Sequence, residues 1–237
     1  MLVNADAKSL EWVCAALLSQ DPVAVREILN LEDQHTDNQD KFGLPSRLVA
    51  KTFLFRIIYG GSSKGFANDP NFGQIGSEKY WQKAIDAFYE KYTGIKAWHS
   101  VLMRTVIETG EIRSPTGRVY RYPQMDVIRK PDYWRPKILN YCVQGLGADL
   151  MALVRTILRE KLMTYDPTTV LMINTVHDSI VLDTTSEMWY NISTVVKSSF
   201  DEVPARYEQL FGTKFPLPMR AEISYGMDWK NMEEIEI

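Results

Sequence analysis

The chain is expected to fold as an α+β protein, because β-rich runs at both ends of the sequence enclose a long stretch of helical periodicity. Three segments carry the β part: Met1 to Asp6, the pair Val170–Val176 and Ile180–Leu182, and Met219 to Tyr225. The pair is joined by the polar triplet His177-Asp178-Ser179, a hairpin signature that presents Asp178 at its tip. At 237 residues, 45% of them hydrophobic and 24% charged, the chain can bury a substantial core and is not of disordered composition.

In chain order, the opening strand leads to a helix from Ser9 to Leu18, with Leu10, Val13, Cys14 and Leu17 at helical spacing. Asp21-Pro22 opens a second helix, proline being suited to a first turn. Ser46 is placed to cap a helix beginning at Arg47, which Gly60-Gly61 ends. Asn68 to Gly76 reads as loop, and Glu78 to Ile107 as a long helix broken near Thr93-Gly94. Gly110 to Tyr122 reads as a hairpin turning at Ser114-Pro115-Thr116-Gly117. Helices are expected from Trp134 to Thr164 and from Glu187 to Phe211, and the acidic tail from Glu233 to Ile237 is expected to fray.

Within the helix that follows Ser46, Arg47, Lys51, Phe55 and Tyr59 stand four apart, so they lie one above another on one face. Two cations followed by an aromatic plate and a phenol fit a phosphate chain with a flat base attached. An amphipathic helix with solvated Arg47 and Lys51 and buried Phe55 and Tyr59 fits the same spacing. Asp6 ends a strand and Asp178 tips a hairpin; if those elements share a sheet, two carboxylates meet at its edge and can hold Mg²⁺. Thirty acidic residues supply many such pairs, so this signal alone is weak.

The formal net charge of −3 gives no global attraction to nucleic acid, so any such surface must be local. Between Arg104 and Lys137 eight cations face four acids, with Tyr120, Tyr122, Tyr133 and Trp134 interleaved. That mixture suits a nucleic-acid backbone and its bases, and equally a solvated loop with a few buried rings. Two cysteines make neither a disulfide framework nor a metal spacing, which points to a reducing cytoplasm. No apolar run of about eighteen residues and no basic-then-apolar leader is present, so neither a membrane partner nor export is expected.

Taken together the motifs are more specific. Asn4-Ala5-Asp6-Ala7-Lys8-Ser9-Leu10-Glu11 resembles the first polymerase motif of the family A (Pol I-like) DNA polymerases. Arg47-x3-Lys51-x3-Phe55-x3-Tyr59-Gly60 resembles that family's nucleotide-binding fingers helix, and Val176-His177-Asp178-Ser179 its third motif. Asp33-Gln34-His35-Thr36 is similar to the segment whose histidine contacts the incoming phosphates. Asn140 to Gly145 with Ala148-Asp149-Leu150 is similar to the template- and primer-side segment. Order and spacing fit over nearly the whole chain.

The resemblance implies a right-hand palm, an antiparallel sheet with flanking helices, plus helical fingers, with the thumb absent. It implies palm over 1–30 and 136–237 and fingers over 31–135. Asp6 and Asp178 would bind two Mg²⁺ ions, Mn²⁺ being the substitute, with the Ala7 carbonyl as a further ligand. Arg47, Lys51 and His35 would hold a dNTP triphosphate, Lys51 also acting near the leaving pyrophosphate. Phe55 would stack near sugar and base, Tyr59 would pack at the hinge where the templating base enters, and Glu11 would crowd a ribose 2′-hydroxyl. Gln144, His177 and Asn140 would touch the DNA primer-template.

Two positions depart from the family pattern. Ser179 stands where many members carry a glutamate, which puts a third carboxylate in doubt, and Pro136 stands where many carry an arginine. Both departures resemble phage-type members. The chain also begins almost at the first motif, which leaves two expectations: a piece of a longer polymerase or, the favoured one, a polymerase encoded in two pieces. Its second chain, carrying thumb and 3′–5′ exonuclease, would form a heterodimer with this one in a bacterial host's cytoplasm. The rival expectations are a non-catalytic DNA-binding or scaffold remnant and a single-subunit RNA polymerase, the latter disfavoured by Glu11.

Overall fold

A computed structural model describes residues 1–237, which divide into two compact units, 1–10 with 146–237 and 11–145. The first unit is built on a five-stranded antiparallel sheet of order β4-β5-β1-β6-β7. Its strands are β1 (Leu2–Ala7), β4 (Val170–Val176), β5 (Ser179–Thr184), β6 (Ala221–Gly226) and β7 (Met232–Ile235). β1 alternates between half-buried Leu2, Asn4 and Asp6 and buried Val3, Ala5 and Ala7, the two-residue period of a strand with one covered face. Opposite Ala5 lie Ile180 on β5 and Ile223 on β6, so the covered face is apolar across three strands. Helix α10 (Trp189–Asp201) packs across β1 and β6, with Ile192, Val196 and Phe200 buried, and α11 (Val203–Phe211) follows it.

The second unit is mostly helical. Its elements are α2 (Pro22–Leu29), α3 (Gln34–Phe42), α4 (Arg47–Ile58), α5 (Ser63–Ala67), α6 (Glu78–Lys91), α7 (Thr93–Thr109) and α8 (Gln124–Arg129), with the hairpin of β2 (Glu111–Arg113) and β3 (Val119–Arg121). The unit boundaries fall inside α1 (Leu10–Ser19) and α9 (Pro131–Leu162). The apolar face of α4, with Phe53, Leu54, Ile57 and Ile58 buried, meets an aromatic core in which Trp81 stacks on Phe53 and Phe66 at 6.0 and 4.9 Å between centroids. A second cluster joins Leu102, Val106, Ile112, Val127, Leu139 and Cys142.

Gly60 is required twice over. Its φ of +78° is left-handed, and an added Cβ would stand 3.0 Å from Leu139 Cδ1. A Cβ on Gly145 would overlap the Tyr120 hydroxyl, so the glycine lets β3 approach α9. Asp21 ties two helix starts together: one carboxyl oxygen accepts from Val23 and Ala24 N–H at 3.0 Å, the other from Gly94 and Ile95 N–H at 2.7 and 3.2 Å.

Several expectations are corrected. The long helix expected from Glu187 is two, parted at Glu202, with Pro204 in the first turn of α11. The tail expected to fray instead forms β7, which pairs with β6 from Met232↔Gly226 to Ile235↔Ile223. Helices α3, α5 and α8 have no counterpart in the sequence reading. α9 is long and apolar enough to cross a membrane by length and composition, and 56% of its apolar window is buried inside the protein, as in core helices of soluble proteins.

Candidate active site

The sheet places the two aspartates. On β1, Asp6 stands opposite Ser179 of β5 and opposite Glu222 of β6. Opposed residues of antiparallel strands share a face, so these three lie on the face away from Ala5 and Ala7. One residue on, the Ala7 N–H donates to the Asp178 carbonyl at 3.0 Å, which ties the β4–β5 hairpin tip to the end of β1. Asp6 and Asp178 therefore occupy neighbouring positions at one end of the sheet, both half-buried. His177, beside Asp178, is exposed and holds a φ of +53°, a left-handed value uncommon outside glycine that turns the chain at the tip.

Glu222 is met by Lys8 at 3.2 Å. No three His, Cys, Asp or Glu side chains stand together as a metal-binding group. The donors at this edge are carboxylate oxygens without sulfur, and two of them suit a hard cation that keeps water in its remaining positions. Mg²⁺ is such an ion.

In the second unit, the stripe Arg47, Lys51, Phe55, Tyr59 runs along the border of the buried face of α4, beside Ala50, Leu54 and Ile58. Arg47 and Lys51 are exposed, while Phe55 and Tyr59 are half-buried. The Arg47 guanidinium grips Asp33 with both arms, Nε to Oδ2 at 2.9 Å and Nη2 to Oδ1 at 3.1 Å. Lys51 makes no ion pair. Asp33 caps α3 by accepting from His35 and Thr36 N–H, and this cap fixes where His35 emerges.

The His35 ring lies 6.3 Å from that of Phe55 and is buried, with its Nδ1 unpartnered. Burial first, and the charges of Arg47 and Lys51 after it, pull its pKa down from 6.5 to about 4, so it stands neutral among cations. Asp33, next to Arg47, is held far below the usual carboxylate range.

At the other end of α4, the Tyr59 hydroxyl accepts from Gln144 Nε2 at 2.7 Å. Burial, then the nearby Glu11 carboxylate, raises the Tyr59 phenol well above its ordinary pKa. Asn140 lies one turn before Gln144 on α9. Glu11, Tyr59 and Gln144 thus form one group and His35, Arg47 and Phe55 another.

The basic stretch is partly spent internally. Arg113 and Arg121 share Glu111, Lys130 pairs with Asp126, and Lys137 sits 3.6 Å over the Tyr133 ring. Sequence reasoning missed three features: the grip of Asp33 on Arg47, Glu222 beside Asp6, and a buried cluster around Lys91. Asp33 was legible as a helix cap two residues before His35; the other two depend on long-range pairing.

The family model described as DNA polymerase family A matches residues 1–231. DNA polymerase I of Lactococcus lactis subsp. lactis (strain IL1403) is 22% identical over 240 residues, which cover 97% of this chain and 26% of that protein. DNA polymerase I of Aquifex aeolicus (strain VF5) is 24% identical, covering 90% of this chain and 39% of the relative. A DNA polymerase of Bacillus phage SP01 is 23% identical over 81% of the chain and 21% of its own length. The chain thus spans between about a fifth and two fifths of these curated relatives.

Its fold matches the POL domain of Pol1 from M. smegmatis, solved in complex with DNA primer-template and dNTP. The TM-score is 0.80 at 17% identity, covering 96% of this chain and 40% of that one. With the family model running through both aspartates, the α4 stripe and strand β6, this chain belongs to DNA polymerase family A.

Proposed function

We propose that the chain is the palm and fingers of a DNA-directed DNA polymerase, adding dNTPs to a primer 3′-hydroxyl. The observation that carries this reading is the neighbouring placement of Asp6 and Asp178 at one end of the sheet, in a chain that also presents Arg47 and Lys51 on α4 with His35 of α3 beside that helix's Phe55. The first unit lies within the palm of this reading, and the second holds its fingers, 31–135, together with 11–30 and 136–145 of its palm.

In the proposed reaction Asp6, Asp178 and the Ala7 carbonyl would hold divalent cations. Two bound Mg²⁺ ions, or Mn²⁺ in their place, would stabilise the attacking and leaving oxygens of an in-line displacement. Arg47 and Lys51 neutralise the triphosphate, and His35 offers it a neutral N–H. The primer 3′-hydroxyl would lose its proton to solvent and its oxygen would bond to the α-phosphorus as the bond to pyrophosphate breaks, with Lys51 accompanying the leaving group. Phe55 lies under sugar and base, Glu11 crowds the 2′ position, and Tyr59 with Gln144 guards the template side. Gln144, Asn140 and His177 contact the primer-template.

The second chain, carrying a thumb and a 3′–5′ exonuclease, belongs to the same proposal, as does a cytoplasmic location. The curated relatives extend well beyond the part matched here. Phosphate contacts dominate DNA affinity, and much of the basic stretch here is already paired.

Primer extension with dNTPs and with NTPs, with and without the second chain, tests the reading. Asp178→Asn should lower the rate on the order of a thousandfold or more while DNA affinity holds, because it removes metal charge rather than packing. Activity within tenfold of wild type would take Asp178 out of the metal site. DNA binding without extension under every condition would favour the non-catalytic remnant.

A further inference from the structure

The grip of Arg47 on Asp33 has no part in the reaction as proposed, yet it occupies the cation that heads the phosphate-binding stripe. We infer that Asp33 is a removable stand-in for nucleotide phosphate: it holds the Arg47 guanidinium in binding posture, is displaced by an incoming triphosphate, and reclaims the guanidinium as pyrophosphate leaves. The inference rests on the proposed role of Arg47.

Three observations carry it. The pair is fork-on-fork, at 2.9 and 3.1 Å, the same two-point geometry that a guanidinium makes with phosphate. Both side chains are about half exposed, Arg47 57% and Asp33 48%, so a ligand can reach the pair and exchange with it. The carboxylate cannot follow Arg47 away, because it is anchored as the cap of α3 by the N–H groups of His35 and Thr36 and by the Thr36 hydroxyl at 2.7 Å.

Local electrostatics give the pair a reason to exist. Arg47 opens α4, where the helix dipole disfavours a cation, and the Asp33 carboxylate offsets that. A triphosphate carries several charges against one, so it wins the exchange while its affinity is reduced by what it displaces. Pyrophosphate is reduced by the same factor, which favours product release. Because Arg47 keeps Asp33 ionised well below physiological pH, the exchange answers to phosphate and not to acidity.

Asp33→Asn separates this role from capping, since asparagine caps helices as well as aspartate but cannot receive the guanidinium fork. The measurement is equilibrium dialysis of the full-length chain against labelled dATP with Mg²⁺ and against inorganic pyrophosphate, with circular dichroism to show that helix content is kept. Asp33→Ser, a second capping residue, repeats the test. We expect both ligands to bind about two- to fivefold tighter, the range of an exposed ion pair, and the gain to vanish in an Arg47→Ala background. Unchanged or weaker binding in Asp33→Asn, with Arg47→Ala weakening dATP as proposed, overturns the stand-in and leaves the phosphate site standing. An Arg47→Ala chain that binds dATP like wild type overturns the phosphate role of Arg47 and this inference with it.

Discussion

Lys91 should be among the most costly single side chains to remove from the helical unit. Its Nζ lies 2.7 Å from Glu27, 2.7 Å from Asp37 and 2.6 Å from the Asn38 Oδ1, and its side chain is only 4% exposed. Glu27 is 1% exposed, and its other oxygen accepts from the Tyr92 hydroxyl at 2.9 Å. Lys91→Met keeps most of the volume but strands the Glu27 carboxylate in the interior. Breaking a buried pair in this way costs about 3–5 kcal/mol. For a chain of this size that lowers Tm by on the order of 10 °C. Thermal and urea unfolding followed by circular dichroism would read the loss. Adding Glu27→Gln should recover part of it, because the stranded charge then disappears. A loss under about 1 kcal/mol, or a double variant no more stable than Lys91→Met, would refute the argument. Because the cluster joins α2 and α6 to α3, which carries Asp33 and His35, nucleotide affinity should fall even below the melting range.

Two further outcomes follow from the same geometry. Glu11→Ala should relax sugar discrimination, read as a smaller ratio of kcat/KM for a dNTP over its NTP; an unchanged ratio would place the gate elsewhere. Acid should destabilise the fold below about pH 6.5, because burial, then neighbouring cations, lowers the pKa of His35 to about 4 and of His99 to about 3. Between those values and 6.5 the unfolded chain takes up protons that the folded chain refuses, so stability falls as pH drops, by on the order of a few kcal/mol. Asp33, whose pKa is lowered, adds its own loss only below the ordinary carboxylate pKa. Urea midpoints that stay flat from pH 7 to pH 4.5 would contradict the histidine assignment.

What was legible in the sequence was whatever depends on local periodicity. The hairpin that presents Asp178 and the cap, register and glycine stop of α4 are all written in neighbouring residues, and the structure has them there. α3 was not legible, because its inward face is polar: His35, Asn38 and Phe42 fall at i, i+3 and i+7, and only one is apolar. That helix is held by caps and by Lys91 instead of by an apolar stripe, so no hydrophobic period announces it. The tail was misread for a related reason. An edge strand needs only backbone pairing on one side and tolerates charge, so Glu233 and Glu234 argue against burial without arguing against β7. The neighbours of Asp6 were beyond reach because β1 pairs with strands more than 170 residues away.

That long-range register also bears on how the proposed metal site must work. Ser179, not a carboxylate, follows Asp178, and β6 puts Glu222 opposite Asp6 as the nearest further acid by position. Lys8 already answers that charge at 3.2 Å, and no three acidic side chains gather there. On the proposed reading Asp6 and Asp178 supply most of the side-chain charge, with Glu222 able to join only by leaving Lys8, and that is too little to hold two divalent cations firmly when Mg²⁺ surrenders its water reluctantly. The missing oxygens would come from water or from a phosphate ligand bound at this edge. By linkage, a phosphate ligand that completes the coordination would tighten the cation and be held more tightly in its presence, so Mg²⁺ affinity measured with and without added nucleotide should differ; equal affinities would refute the argument.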